Sequence, residues 1–152
     1  MPTRASLVAL VLAAAMLGAA WAATSATPRL APGRYITSVS LKETFDRIGV
    51  DPMTKSVLPG NWEIWLVDGN RYMIVRNGSL LFEEGHYHLT RQELALIPDS
   101  TDFPCMLHVR PEWANATYQW RMEGPSLILT AIHEKCPGRL LVMSSHSLVR
   151  QD

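Results

Sequence analysis

An antiparallel, up-and-down β-barrel of about eight strands is the fold class this sequence predicts, and three observations predict it. From Gly33 onward apolar and polar residues alternate at period two, as in "GRYITSVS", "NWEIWLV" and "ATYQWRM", which is the spacing of strands with one buried face. Gly-containing pairs separate the runs, at Asp68-Gly69, Asn77-Gly78 and Glu123-Gly124, where glycine supplies the positive φ that tight hairpins need. Third, a sheet of this many antiparallel strands in one small domain leaves two exposed edges unless it closes on itself. A Greek-key sandwich has the same strand count but needs long crossovers, and only the segment from Pro98 to Asn115 is long enough to be one.

Residues 1–22 read as a signal peptide. Arg4 gives a positive start, "ASLVALVLAAAMLGAA" is uncharged and apolar, and Ala20-Trp21-Ala22 fits a small-x-small cleavage site near Ala23. The run is Ala-rich and shorter than the roughly 20 strongly apolar residues of a spanning helix, so no membrane span is expected after processing. The expected location is periplasmic or extracellular. Residues 23–32, with two prolines, read as a mobile lead-in, and 33–150 as one barrel domain.

Along the domain, "GRYITSVS" is the first strand. Ser40 and Glu43 fit a capping box, and Leu41, Phe45 and Ile48 recur at helical spacing before Gly49, which predicts one short helix over an end of the barrel. "NWEIWLV", "NRYMIVR", "EGHYHLT", "QELALIP", "ATYQWRM", "SLILTAIH" and "RLLVMSSHSLV" complete the strand set, with a long loop from Pro98 to Asn115.

The whole chain carries 14 basic and 14 acidic residues and shows no Lys/Arg cluster, which argues against nucleic acid as a partner. Cys105 and Cys136 are the only cysteines; in an oxidising compartment an even count without Cys-x-x-Cys spacing predicts a Cys105–Cys136 disulfide.

Gly33-Arg34-Tyr35, the short helix, Gly60-Asn61-Trp62, Asp68-Gly69, Gly85-His86-Tyr87, Tyr118-Gln119-Trp120 and "CPGR" at 136–139 together resemble the small exported lipocalin-like proteins of bacteria, within the calycin-type barrels. The resemblance spans roughly residues 30–150 and implies a scaffold that often holds a small apolar molecule inside; it carries no catalytic residue across. Where lipocalins have Gly-x-Trp in the first strand this chain has Tyr35, and Arg139 or Arg150 is the candidate for the arginine that packs against that position.

On the alternation, Tyr35, Trp62, Ile64, Tyr72, Tyr87, Leu96, Tyr118, Trp120 and Leu129 face inward and are the predicted contacts of a small hydrophobic molecule, with Leu66, Ile74, Leu89, Leu94, Leu127 and Ala131 on the same side. The same set would serve equally as a filled core. In "EEGHYHLT" Glu84, His86 and His88 fall on the outer face, where no spacing matches a metal-ligand framework. His133-Glu134 lacks the second histidine of a zincin helix, no Gly-x-Ser-x-Gly elbow occurs, and Glu63 and Glu93 are expected to be exposed. No cofactor is expected. Two alternatives stay open: a barrel-type cyclase or isomerase that works by positioning its substrate, and a protein-interaction or inhibitor module acting through its loops.

Overall fold

A computed structural model describes residues 29–48, 56–103 and 114–151. They form a closed barrel in which each strand pairs antiparallel with its neighbour in sequence, β1 to β8, and β8 pairs back onto β1. The strands are β1 (Gly33–Val39), β2 (Gly60–Val67), β3 (Arg71–Arg76), β4 (Leu80–Leu89), β5 (Glu93–Thr101), β6 (Ala116–Glu123), β7 (Ser126–His133) and β8 (Leu148–Gln151). Helix α1 (Leu41–Ile48) follows β1, and α2 (Pro137–Ser144) lies between β7 and β8.

Up-and-down order gives the barrel two unlike ends. The chain enters β1 at the hairpin end, where the turns at Asp68–Asn70, Thr90–Gln92 and Gly124–Pro125 also lie. The opposite, helix end carries α1, the Asn77–Ser79 turn and α2. Two turns are tight because residues adopt positive φ: Gly69 and Asn70 in the first, Asn77 and Gly78 in the β3–β4 turn. Gly85 has a different reason to be glycine. At the bulge where β4 meets β5, an added Cβ would stand 2.3 Å from the Ile97 carbonyl oxygen and 2.7 Å from Pro98 Cα.

The capping box forms as the sequence predicts: Ser40 N–H donates to Glu43 Oε2 at 2.9 Å, and Glu43 N–H donates to Ser40 Oγ at 3.2 Å. The helical stripe is only partly used, because Leu41 remains 50% exposed while Phe45 and Ile48 are half-buried and Thr44 is buried. Gly49 lies outside the described residues.

Three expectations change. "RLLVMSSHSLV" is not one strand: its first half is α2, with Pro137 in the first turn and Cys136 Sγ accepting the Arg139 N–H, and only Leu148–Gln151 is strand. Of the lead-in, Arg29–Pro32 fall within the described residues, and Leu30 belongs to the apolar core at 5% exposure; residues 23–28 lie outside the described set. β5 runs through Pro98 to Thr101, since the bulge opposite Gly85 absorbs a proline that cannot donate to a ladder. Glu63 is buried although it faces outward, because Arg34 Nε binds it at 2.7 Å and Trp65 Nε1–H donates to it at 2.8 Å. Cys136 is buried, and no described cysteine is a free thiol; Cys105 lies outside the described residues. Among the described residues no helix is long and apolar enough to cross a membrane.

Candidate functional site

All the predicted inward residues point into the barrel, and Tyr35, Trp62, Ile64, Tyr72, Tyr87, Leu96, Tyr118, Trp120 and Leu129 are all buried in one core cluster. They divide by height. Trp62 and Tyr118 lie toward the helix end, whereas Tyr35, Tyr87 and Trp120, with their ladder partners Ile64, Leu96 and Leu129, lie nearer the hairpin end. Tyr72 starts low on β3, and its hydroxyl reaches a carboxylate deeper in the barrel.

At the helix end the polar tips are consumed by the protein itself. Trp62 stacks on Phe103 with centroids 5.4 Å apart, meets Phe82 edge-on at 4.7 Å, and donates its Nε1–H to the Leu58 carbonyl at 2.7 Å. Beside it lies a charged network that the sequence reading missed. Arg139 of α2 is fully buried; its Nη1 donates to Glu83 Oε1 at 3.0 Å and to Glu83 Oε2 at 2.9 Å. Its Nε and Nη2 donate to the two oxygens of Glu134, at 2.7 and 3.2 Å. Tyr72 OH donates to Glu83 Oε1 at 2.8 Å, Tyr118 OH donates to Glu134 Oε2, and the Cys136 N–H donates to Glu134 Oε1 at 2.8 Å. Three buried charges thus have every close contact filled by an opposite charge or a donor.

The electrostatics follow from burial. Desolvation pushes the Glu83 carboxyl up, and the Arg139 guanidinium pulls it back without fully compensating. Burial, reinforced by the adjoining carboxylates, raises Tyr72 and Tyr118 well beyond ordinary phenols, so both stay protonated donors. Burial opposes the charge on Arg139, but the hydrogen bond to Glu134 and the two carboxylates outweigh it and hold its pKa above that of a free arginine. Arg139 therefore serves the network and not an aromatic of β1; Arg150 is the arginine opposite Tyr35 in the β1–β8 register.

The hairpin end is built more lightly. Tyr87 and Trp120 are the most exposed of the predicted contacts, at 8% and 7%. Trp120 Nε1–H donates to the Thr90 carbonyl at 3.1 Å, which ties the ring to the β4–β5 turn. Tyr35 OH donates to the Ala31 carbonyl at 2.8 Å, and Leu30 packs beside it as part of the core. A groove of about 400 Å³ lined by Pro32, Gly33, Arg34, Trp65, Leu66, Val67 and Asp68 opens at this end, and Leu66 belongs both to it and to the core. A second groove, of about 610 Å³, lies at the other end of β1 between Ser38, Glu43, Asn61 and the His146–Val149 segment, bridged by His146 Nε2 and Glu43 Oε1. None of the predicted ligand contacts lines either groove.

His86 and His88 are exposed on the outer face of β4, and His86 sits between Arg71 Nη1 at 3.2 Å and Asp99 Oδ2 at 3.4 Å. Among the described residues no group of three or more His, Cys, Asp or Glu is placed to hold a metal ion. Glu93 is exposed.

Alternation from Gly85 was the available signal for Glu83, which pairs with inward-facing Ile74. Nothing local marks Arg139 as its partner, because the two are 56 residues apart. No protein-family model, no curated protein and no solved structure matches this chain.

Proposed function

We propose that this chain is an exported, lipocalin-like binding protein that takes a small hydrophobic molecule at the hairpin end of its barrel. The observation that carries the reading is the asymmetry of the interior. Buried charges and stacked rings fill the helix end, whereas at the hairpin end Tyr87 and Trp120 are the most exposed of the predicted contacts and, among the described residues, no buried ion pair closes the barrel. Apolar lining with a few fixed polar groups is the usual character of a small-molecule site. Of the predicted contacts, Tyr35, Tyr87 and Trp120 therefore touch the ligand, while Trp62, Tyr72 and Tyr118 support the closed end.

The test is titration with N-phenyl-1-naphthylamine, whose fluorescence rises in apolar surroundings. Saturable binding that weakens at least fivefold in Trp120→Ala and is kept in Tyr118→Phe supports the reading; binding equal in the wild type and Trp120→Ala sinks it.

Export and the Cys105–Cys136 bond belong to the same proposal. The signal-like residues 1–22 and the absence of a free thiol among the described cysteines support them. Intact mass of protein recovered from the producing cell's exterior or periplasm tests both: a mature chain starting near Ala23 with no reactive thiol is expected.

A second reading, acid–base chemistry in the barrel, draws on Glu83, which is buried with a raised pKa. Its two oxygens already accept from Arg139 and Tyr72, which favours a structural role.

A further inference from the structure

We infer that the hairpin-end site is occupied by the chain's own lead-in, and that its ligand is an aliphatic molecule ending in a carboxylate or carbonyl oxygen which displaces Leu30–Pro32. This rests on the binding reading above and specifies the ligand class.

The lead-in presents the chemistry that such a ligand would present. Leu30, three residues before β1 begins, inserts a branched aliphatic side chain into the core and is only 5% exposed. The next two carbonyl oxygens are each held by a donor from the barrel: Ala31 O by Tyr35 OH at 2.8 Å, Pro32 O by Arg150 Nη2 at 3.4 Å. Apolar branch and acceptor oxygens are thus presented together to a seat made of core side chains, a phenol and a guanidinium.

Both donors suit an anionic or carbonyl head. Burial raises the Tyr35 pKa, so its hydroxyl stays a proton donor. Arg150 is exposed and always charged, and among the described residues no carboxylate pairs with it. A carboxylate reaching Tyr35 and Arg150 would exchange a neutral carbonyl contact for a charge-assisted one. The groove along Pro32–Arg34 lies beside the segment on the outer side of β1 and β2, where Arg34, Trp65 and Val67 line it, and gives the lead-in room to leave.

Self-occupancy lowers apparent affinity by the fraction of molecules whose seat is free. Weakening the plug therefore tightens binding. Displacement of N-phenyl-1-naphthylamine by dodecanoate, below its micelle concentration, is compared in the wild type, Leu30→Ala and Arg150→Gln, with dodecanol as the uncharged control. Leu30→Ala is expected to bind dodecanoate about tenfold more tightly, and Arg150→Gln to lose most of the preference for dodecanoate over dodecanol. In the wild type, dodecanoate should also speed trypsin cleavage after Arg29, because the segment leaves its seat.

If no form binds the naphthylamine probe, the binding reading falls and takes this inference with it. Probe binding with unchanged dodecanoate affinity in Leu30→Ala and unchanged cleavage at Arg29 overturns the plug and leaves the binding reading intact. Equal affinity for dodecanol and dodecanoate in the wild type overturns the head-group assignment. Should Leu30→Ala fail to fold by circular dichroism, the Arg29 cleavage rate in the wild type decides alone.

Discussion

The two ends of this barrel are closed by opposite means. The helix end is shut by groups drawn from distant parts of the chain, Glu83 of β4, Glu134 after β7 and Arg139 of α2, with Trp62 and Phe103 stacked beside them. The hairpin end is shut by one leucine, two nearly buried rings and a pair of hydrogen bonds to backbone carbonyls. The first kind of closure is expensive to open, because any partner that leaves strands a charge in low dielectric. Opening the second breaks apolar contacts and two hydrogen bonds to neutral carbonyls, and strands no buried charge. Keeping them at opposite ends lets the protein hold its architecture rigid where nothing needs to move.

The sharpest way to break this contrast is Arg139→Ala, which leaves Glu83 and Glu134 facing each other's surroundings without their cation. A loss of about 3 to 5 kcal/mol is expected in urea denaturation. Replacing Arg139, Glu83 and Glu134 together with Met, Leu and Leu should recover part of that loss: it removes the unpaired charges, but it leaves the Tyr72 and Tyr118 hydroxyls and the Cys136 N–H without acceptors. If the triple variant is as unstable as the single one, the network does more than satisfy itself.

Next in size is a matched pair of tryptophans. Trp62→Ala at the helix end should cost about 3 to 5 kcal/mol, whereas Trp120→Ala should cost about 2, because water can reach the space it leaves at the hairpin end. Equal losses would mean that the two ends are equally well packed. Gly85→Ala strikes the strand pair that joins both ends. The new methyl meets backbone of β5, which cannot rotate away, and a loss of about 1 to 3 kcal/mol is expected in the same assay.

The smallest effect is at Glu43, outside the barrel. The Ser40 N–H, then the Ser40 hydroxyl, and more weakly His146, hold its carboxyl at about 2. This lies below the usual glutamate value of about 4.3, so the contribution is present above roughly pH 5 and is lost as pH falls through the folded value. For so exposed a group it should amount to about 0.5 kcal/mol. The melting temperatures of wild type and Glu43→Gln should therefore differ slightly at pH 6 and converge by about pH 2.

The barrel itself was legible because period-two alternation and hairpin glycines are local signals, and they place every predicted inward residue correctly. Helix α2 was not, because "RLLVM" is a short apolar run that fits a buried strand or a buried helix face equally well. Pro137 and Cys136 at its start were the overlooked cues. The ion network escaped for another reason: its members come from β4, the segment after β7 and α2, and only closure of the barrel brings Arg139 between the two glutamates. Burial of Glu63 depended on a cross-strand arginine, and alternation alone assigns a side but not a cover.

β8 is only four residues long, yet it is the strand that meets both β7 and β1. Arg34 near the start of the barrel has its ladder partner in Gln151. Until β8 is in place, β1 and β7 are bare edges, because each finds its second neighbour only there. A chain lacking Leu148–Gln151 would therefore present two unpaired strands to its neighbours, which is a route to aggregation.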